Sequence, residues 1–239
     1  MPWNADYFPA SMKNLPPAGR VVAIEVEIRT GDARLEGALA LPAVARGVVL
    51  FAHGSGSSRH SPRNAFVARA LHEAGVGTLL FDLLTLDEDR VYETRFDIGL
   101  LARRLAAATA WLRQRPEAAG LPVGYFGAST GAGAALLAAA AEDAPVRAVV
   151  SRGGRPDLAG AHALARVIAP TLLIVGGDDP QVIALNRQAY AQLQCTKALE
   201  IVPGATHLFE EPGTLEQVAA LAAAWFGRWL GGVEGPAGG

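Results

Sequence analysis

Residues Gly127-Ala128-Ser129-Thr130-Gly131 stand between an apolar run, Leu121–Phe126, and a helix-forming stretch, Ala132–Ala141. A strand that passes into a helix through G-x-S-x-G has to place its serine at the apex of a sharp turn, in a backbone conformation most residues avoid. Glycines on either side relieve the crowding because they carry no Cβ. The turn lifts the serine hydroxyl above the sheet and aims the unpaired N–H groups of the helix N-terminus at the same point. In a chain with 27 glycines the pentapeptide also arises by chance, as a plain turn between strand and helix. Its weight therefore comes from the strand before it, the helix after it, and the acid and base further along.

The rest of the chain supplies that setting. Val21–Arg29 and Arg34–Leu41 read as an antiparallel hairpin around Thr30-Gly31-Asp32-Ala33. Six short apolar runs follow: Gly47–Ala52, Val76–Asp82, Val123–Phe126, Val146–Ser151, Thr171–Val175 and Ala198–Val202. Between and after them lie helical patterns near Arg63–Ala74, Asp97–Arg115, Thr130–Ala141, Asp157–Arg166, Gln181–Gln194 and Thr214–Leu230. Near-continuous apolar strands alternating with amphipathic helices predict an α/β fold, a mostly parallel sheet of about eight strands covered on both faces. Prolines 156, 170, 180, 203 and 212 fall at element boundaries. One domain over residues 21–230 is expected, with no insertion large enough for a cap domain. Residues 1–20 form an N-terminal extension and 231–239 a flexible tail.

Composition narrows the function classes. Half the residues are apolar and 18% are charged, which predicts a packed globule. The 21 basic and 23 acidic residues are interspersed, so neither nucleic acid nor a membrane surface is an expected partner. Cys195 is the single cysteine, which excludes an intramolecular disulfide. The N-terminus lacks a basic n-region and an apolar h-region, and the longest apolar stretch is too short to span a bilayer. A cytoplasmic protein, monomer or homodimer, is the expectation.

Ligands of such sheets bind beyond the carboxyl ends of the strands. Past the first parallel strand comes His53-Gly54-Ser55-Gly56-Ser57-Ser58-Arg59-His60. A Gly/Ser-rich loop gathers backbone N–H groups around an anion, either as a phosphate cradle or as an oxyanion hole. Neither G-x-x-x-x-G-K-[ST] nor G-x-G-x-x-G with its acidic partner is present, which disfavours the cradle. An oxyanion hole would take one N–H from Ser55 and one from Thr130, the residue after the nucleophile. His53 reads as a residue that holds this loop by hydrogen bonding. His72 and His162 read as surface residues.

Two later strand ends carry an acid and a base. Gly176-Gly177-Asp178-Asp179-Pro180 follows one, and Pro203-Gly204-Ala205-Thr206-His207 the other. From 129 to 179 and from 179 to 207, each gap fits one strand–helix–strand unit, so all three side chains come to one sheet edge. A serine hydroxyl is a weak nucleophile at neutral pH; a histidine must take its proton, and a carboxylate must hold the histidine's tautomer. Asp179 is the preferred carboxylate, with Asp178 as the alternative or as a cap of the turn or the next helix.

The His53-Gly54 loop, the Ser129 elbow, Gly176-x-x-Asp179 and Gly-Ala-Thr-His207, in that order, resemble the α/β-hydrolase superfamily over residues 21 to 230. Size and the absence of a cap make the dienelactone-hydrolase-like branch the nearest. Dienelactone hydrolases carry a cysteine nucleophile where this chain has Ser129, and Cys195 is too far along to replace it. The resemblance thus implies ester, thioester or lactone cleavage through an acyl-enzyme on Ser129, with His207 as base, Asp179 behind it and no cofactor or metal. Peptidase or acyltransferase chemistry on the same triad is the alternative; a non-catalytic binding protein of the same fold is a further one.

Residues at neighbouring strand ends are candidates for substrate binding. Leu83–Leu86, Leu84 among them, would line an apolar pocket or form a buried crossover. Arg59 and Arg152 would together bind a carboxylate-bearing substrate, or else pair with local acids such as Asp82 and Asp157.

Overall fold

The computed structural model describes residues 20–31 and 33–231, so Asp32 of the first turn and nearly all of the two expected terminal segments lie outside the described residues. Eight strands form one sheet in the order β1-β2-β4-β3-β5-β6-β7-β8. Strands β1 (Val21–Thr30) and β2 (Ala33–Pro42) make the predicted hairpin, and β2 runs antiparallel to β4 (Gly77–Phe81). From β3 (Val48–Ala52) through β5 (Val123–Ala128), β6 (Val146–Arg152), β7 (Thr171–Gly176) and β8 (Lys197–Val202) every pairing is parallel.

Burial follows that topology. Every residue of β3, β5 and β7 is buried, as expected of strands covered on both faces, whereas the edge strand β1 is largely exposed. Helices α1 (Pro62–Glu73) and α7 (Thr214–Leu230) cover one face over a core that includes Phe51, Phe126, Val150 and Phe226. On the other face, α3 (Ile98–Arg113), α4 (Thr130–Ala139) and α6 (Pro180–Gln192) cover a second core with Leu50, Leu79, Leu105, Tyr125 and Leu173. Each such side chain contributes about 1.5–3 kcal/mol on burial. The chain leaves β3 toward β4 on one side and later reaches β5 on the other. Strand order therefore reverses between β3 and β5, and the crevice at their carboxyl ends is where sheets of this kind bind ligands.

Two helical expectations change. The pattern read over Asp157–Arg166 divides into a 3₁₀ turn, Pro156–Ala159, and a short helix α5, Ala161–Arg166, because Gly160 takes φ +81° between them. A segment read only as a strand-end loop contains α2 (Leu86–Arg90), which Thr85 and Glu88 start with reciprocal side-chain–backbone bonds, and a 3₁₀ turn at Glu93–Phe96. His162 is exposed as expected. His72 is half-buried, its Nε2 2.8 Å from Thr78 Oγ1 on β4.

Candidate active site

Ser129 joins β5 to α4 with φ +50°, ψ −123°, a conformation that side-chain-bearing residues rarely adopt. The backbone around it holds the strain in place. Its N–H donates to Arg152 O on β6 (3.3 Å), and its own carbonyl accepts from Ala132 N (3.0 Å) and Arg155 N (3.0 Å). A Cβ at Gly127 would stand 2.8 Å from Ala132 N, and one at Gly131 would stand 2.5 Å from His53 O. Both glycines of the motif are thus fixed by contact distance, one against the following helix and the other against the loop after β3. Ser129 makes no cap bond to α4, and among the described residues its hydroxyl takes part in no hydrogen bond.

The acid and base come from adjacent strand ends stitched together through their backbones. Gly177 N–H donates to Val202 O (2.8 Å) and Asp178 N–H to Ala205 O (2.9 Å). His207 Nδ1 lies 2.8 Å from Asp179 Oδ2, so that nitrogen carries the hydrogen and Nε2 is left as the basic atom. The other carboxylate oxygen, Asp179 Oδ1, accepts from Val182 N (3.3 Å) and caps α6. Asp178, the alternative carboxylate and the expected cap, has an exposed side chain; Asp179 performs the capping while also facing the histidine. Asp179 is well shielded, at 15% side-chain exposure against 38% for His207, which keeps the pair strong without closing off the ring.

Three residues behind His207 carried no signal that was read from sequence. Glu211 accepts from both the N–H (3.1 Å) and the hydroxyl (2.6 Å) of Thr206, and these bonds hold its carboxyl below the usual range. Phe209, fully buried at φ +56°, pins the loop from the other side. Glu210 reaches across to Arg63 at 2.9 Å. The run Thr206-His207-Leu208-Phe209-Glu210-Glu211 is a tight turn closed by its own side chains, and a threonine five residues before a glutamate is the pattern that points to it.

The loop after β3 bears on Ser129 at Gly54, where a Cβ would stand 3.1 Å from Ser129 Cβ. His53 holds that loop as expected. Its Nε2 accepts from Leu83 N–H (3.0 Å) and its Nδ1–H faces Gly54 O (3.1 Å), so the ring is neutral, and burial lowers its pKa accordingly. The two expected oxyanion donors differ. Thr130 opens α4, so its N–H has no acceptor within its helix. Ser55 N–H, in contrast, donates to Thr130 Oγ1 at 2.9 Å and is not free to receive a ligand. The expectation of an open Ser55 donor is corrected on that bond.

Of the pocket candidates, Leu84 faces a cleft of about 510 Å³ shared with His53, Ser57, Arg59 and Asp82. Leu83 is in the core and Leu86 is exposed. Arg59 is not available to a substrate: its guanidinium is bonded to Asp82 and, at 2.6 Å, to Glu36, while its N–H donates to Asp82 Oδ1 at 2.7 Å. Arg155, not Arg152, takes Asp157 (2.7 Å). The pairing of Arg59 with Arg152 around one anion is therefore not formed; Arg152 lies on the α1 side of the sheet, beside Asn64 and Phe209.

Comparison with known proteins gives the family and the fold. Residues 39–229 match the model of the dienelactone hydrolase family. A dienelactone hydrolase from Anabaena variabilis, solved by crystallography, is 57% identical and superposes with a TM-score of 0.85 over 87% of this chain and 98% of its own. Est1E from Butyrivibrio proteoclasticus shares the fold at 15% identity, with a TM-score of 0.74 over 86% of this chain and 98% of its own. A putative phosphoribosyl transferase of Mycobacterium tuberculosis is 60% identical over 214 residues, which are 90% of this chain and 48% of that protein. The chain spans about half the length of the curated relatives it matches at this identity.

Proposed function

The chain belongs to the dienelactone hydrolase family, and we propose that it is a serine hydrolase that cleaves a carboxylic ester, thioester or lactone through an acyl-enzyme on Ser129. His207 Nε2 takes the Ser129 proton as Oγ bonds to the substrate carbonyl carbon, and the carbonyl oxygen becomes an oxyanion facing Thr130 N–H. Collapse breaks the bond to the leaving group, which receives the proton from His207. Water, giving a proton to the same nitrogen, attacks the acyl carbon; the second collapse returns that proton to Ser129 and frees the acid. Asp179 holds the ring with Nε2 outward and stabilises the imidazolium formed in each half-reaction.

The single observation that carries this reading is the His207–Asp179 contact of 2.8 Å at the same sheet edge as a strained serine elbow, three residues delivered from the ends of three different strands. Among the described residues Ser129 and His207 form no hydrogen bond, and contacts of this kind tighten in the complex with substrate. The name phosphoribosyl transferase belongs to relatives of about twice this length, and a 214-residue match includes the positions of all three residues, so hydrolysis is the activity we assign to this part.

Labelling with a fluorophosphonate probe tests the proposal. Wild type should label and Ser129→Ala should not, with ester turnover down by about 10⁶-fold. Equal labelling of the two proteins would sink it.

A further inference from the structure

We propose that the cleft on the β4 side of Ser129 binds the alcohol half of the ester, and that this half is a neutral polyol such as a sugar; this rests on the serine-hydrolase reading of Ser129 and His207. At about 510 Å³ the cleft has the size of a small-molecule site. Its position fits a leaving group. It shares His53, Leu84 and Asp89 with a narrow recess lined also by Gly54 and Ser55. A Cβ at Gly54 would stand 3.1 Å from Ser129 Cβ, and Ser55 N–H donates to Thr130 Oγ1 at the start of α4. An alcohol lying in the cleft therefore reaches the nucleophile along the loop after β3.

The charges of the cleft are settled before any ligand arrives. Its acids are Glu36, Asp82, Asp87 and Asp89. Arg59 takes both Asp82 and Glu36, Arg90 takes Asp87 at 2.9 Å, and Arg95 takes Asp89 at 3.1 Å. Arg34, the other arginine of the lining, has Glu27 at 3.8 Å, and His53 is neutral. An ionic ligand would have to displace one of these partners, so nothing in the cleft selects for net charge. Hydrogen-bonding capacity is another matter. A carboxylate has about four acceptor sites, and one guanidinium does not fill them.

Uncharged groups add to that capacity. The Ser57 hydroxyl and the exposed His60 ring line the same cleft, and among the described residues neither takes part in a hydrogen bond. A hydrocarbon alcohol would strip water from these groups and return no bond, which is costly. The hydroxyls of a polyol both donate and accept, so they satisfy carboxylate, imidazole and serine alike without bringing a charge. Leu84 and Leu86 supply apolar surface for the C–H face of a sugar ring. In the acylation step Ser129 Oγ bonds to the carbonyl carbon, the bond from that carbon to the polyol oxygen breaks, and the oxygen takes its proton from His207.

The test compares methyl 6-O-butanoyl-glucoside with tetrahydropyran-2-ylmethyl butanoate, which share the acyl group, the ring and a primary leaving alcohol and differ in the ring hydroxyls. Wild type should favour the glucoside in kcat/KM by at least ~10-fold, the size of one charge-assisted hydrogen bond. Ser57→Trp, which puts an indole into the cleft, should abolish the preference, and His60→Ala should cut it about fivefold. His60 is exposed, so its variant reads the cleft even if Ser57→Trp fails to fold. The matching glucosaminide ester, which carries an ammonium group, should gain nothing over the glucoside; a gain of 10-fold or more would overturn the neutral ligand in favour of a cation. No preference for the glucoside, or one unchanged in both variants, overturns the polyol cleft while leaving hydrolysis standing. If neither ester is turned over, hydrolysis itself fails, and saturation-transfer NMR with methyl glucoside then decides the cleft. Transfer that is lost in Ser57→Trp or weakened in His60→Ala supports it, and no transfer to wild type, or transfer unchanged in both variants, counts against it.

Discussion

The two flanks of Ser129 treat charge in opposite ways. On the β4 side Arg59 is saturated by Asp82 and Glu36, and the neutral ring of His53 sits among backbone bonds. That flank is electrically closed and serves as scaffolding for the loop after β3. On the β6–β8 side, the Asp179 carboxylate is divided between a helix cap and His207, and Arg152 is buried with no acid in ion-pair reach among the described residues. The contrast teaches that a charged residue at the rim of such a sheet cannot be assigned to binding by its position. Whether its neighbours have already satisfied it is what separates Arg59 from Arg152.

The sharpest way to probe the contrast is on the working flank. Asp179→Asn should lower kcat by about 10⁴-fold, because the ring loses its tautomer control. The fold should survive, since asparagine caps a helix as well as aspartate does. Asp178→Asn, on an exposed side chain, should stay within about threefold. A mild Asp179 variant beside a dead Asp178 variant would reverse the assignment.

A smaller effect compares the two arginines in urea unfolding. Arg59→Met strands two carboxylates, one of them largely shielded, and should destabilise by about 2 kcal/mol. Arg152→Met replaces an uncompensated buried charge with an apolar chain and should be neutral or stabilising by about 1 kcal/mol. Equal losses in both would erase the distinction between the flanks.

The smallest effect concerns acid. His53 has a lowered pKa in the fold, so the unfolded chain binds a proton more readily, and stability is complete above pH ~6.5 and declines as pH falls from there toward the folded value. His72, lowered in the same direction by burial, adds to the slope. The urea midpoint should therefore drop between pH 7.5 and 5.5, and His53→Gln, which keeps an acceptor for Leu83 N–H, should flatten part of the drop. A midpoint that holds or rises on acidification would contradict the buried neutral ring.

These differences mark what could be read along the chain. The elbow and the strands are legible because each rests on neighbours within a few positions, and the order of Ser129, Asp179 and His207 is legible because each stands just past the end of one such strand. Even the choice of Asp179 over Asp178 followed from its place before Pro180. The Arg59–Asp82 pair links positions 23 apart and Arg152–Asn64 links positions 88 apart, so no local pattern predicts that one arginine is paired and the other bare. The Ser55–Thr130 bond spans 75 positions, and it alone shows that a donor expected to be open is occupied. Gly160 did carry a visible clue, since a glycine inside a helical pattern is a place for the helix to break.

Helix α4 has one further consequence. All of its residues except Leu137 are buried, and it is sandwiched between the sheet and α3. Amides in such an element exchange with solvent only when the cooperative unit that contains them opens. Ser129 is fastened to the first turn of that unit. Warming should therefore leave the nucleophile in register until the domain melts as a whole, so residual activity and residual near-ultraviolet dichroism should fall along one curve.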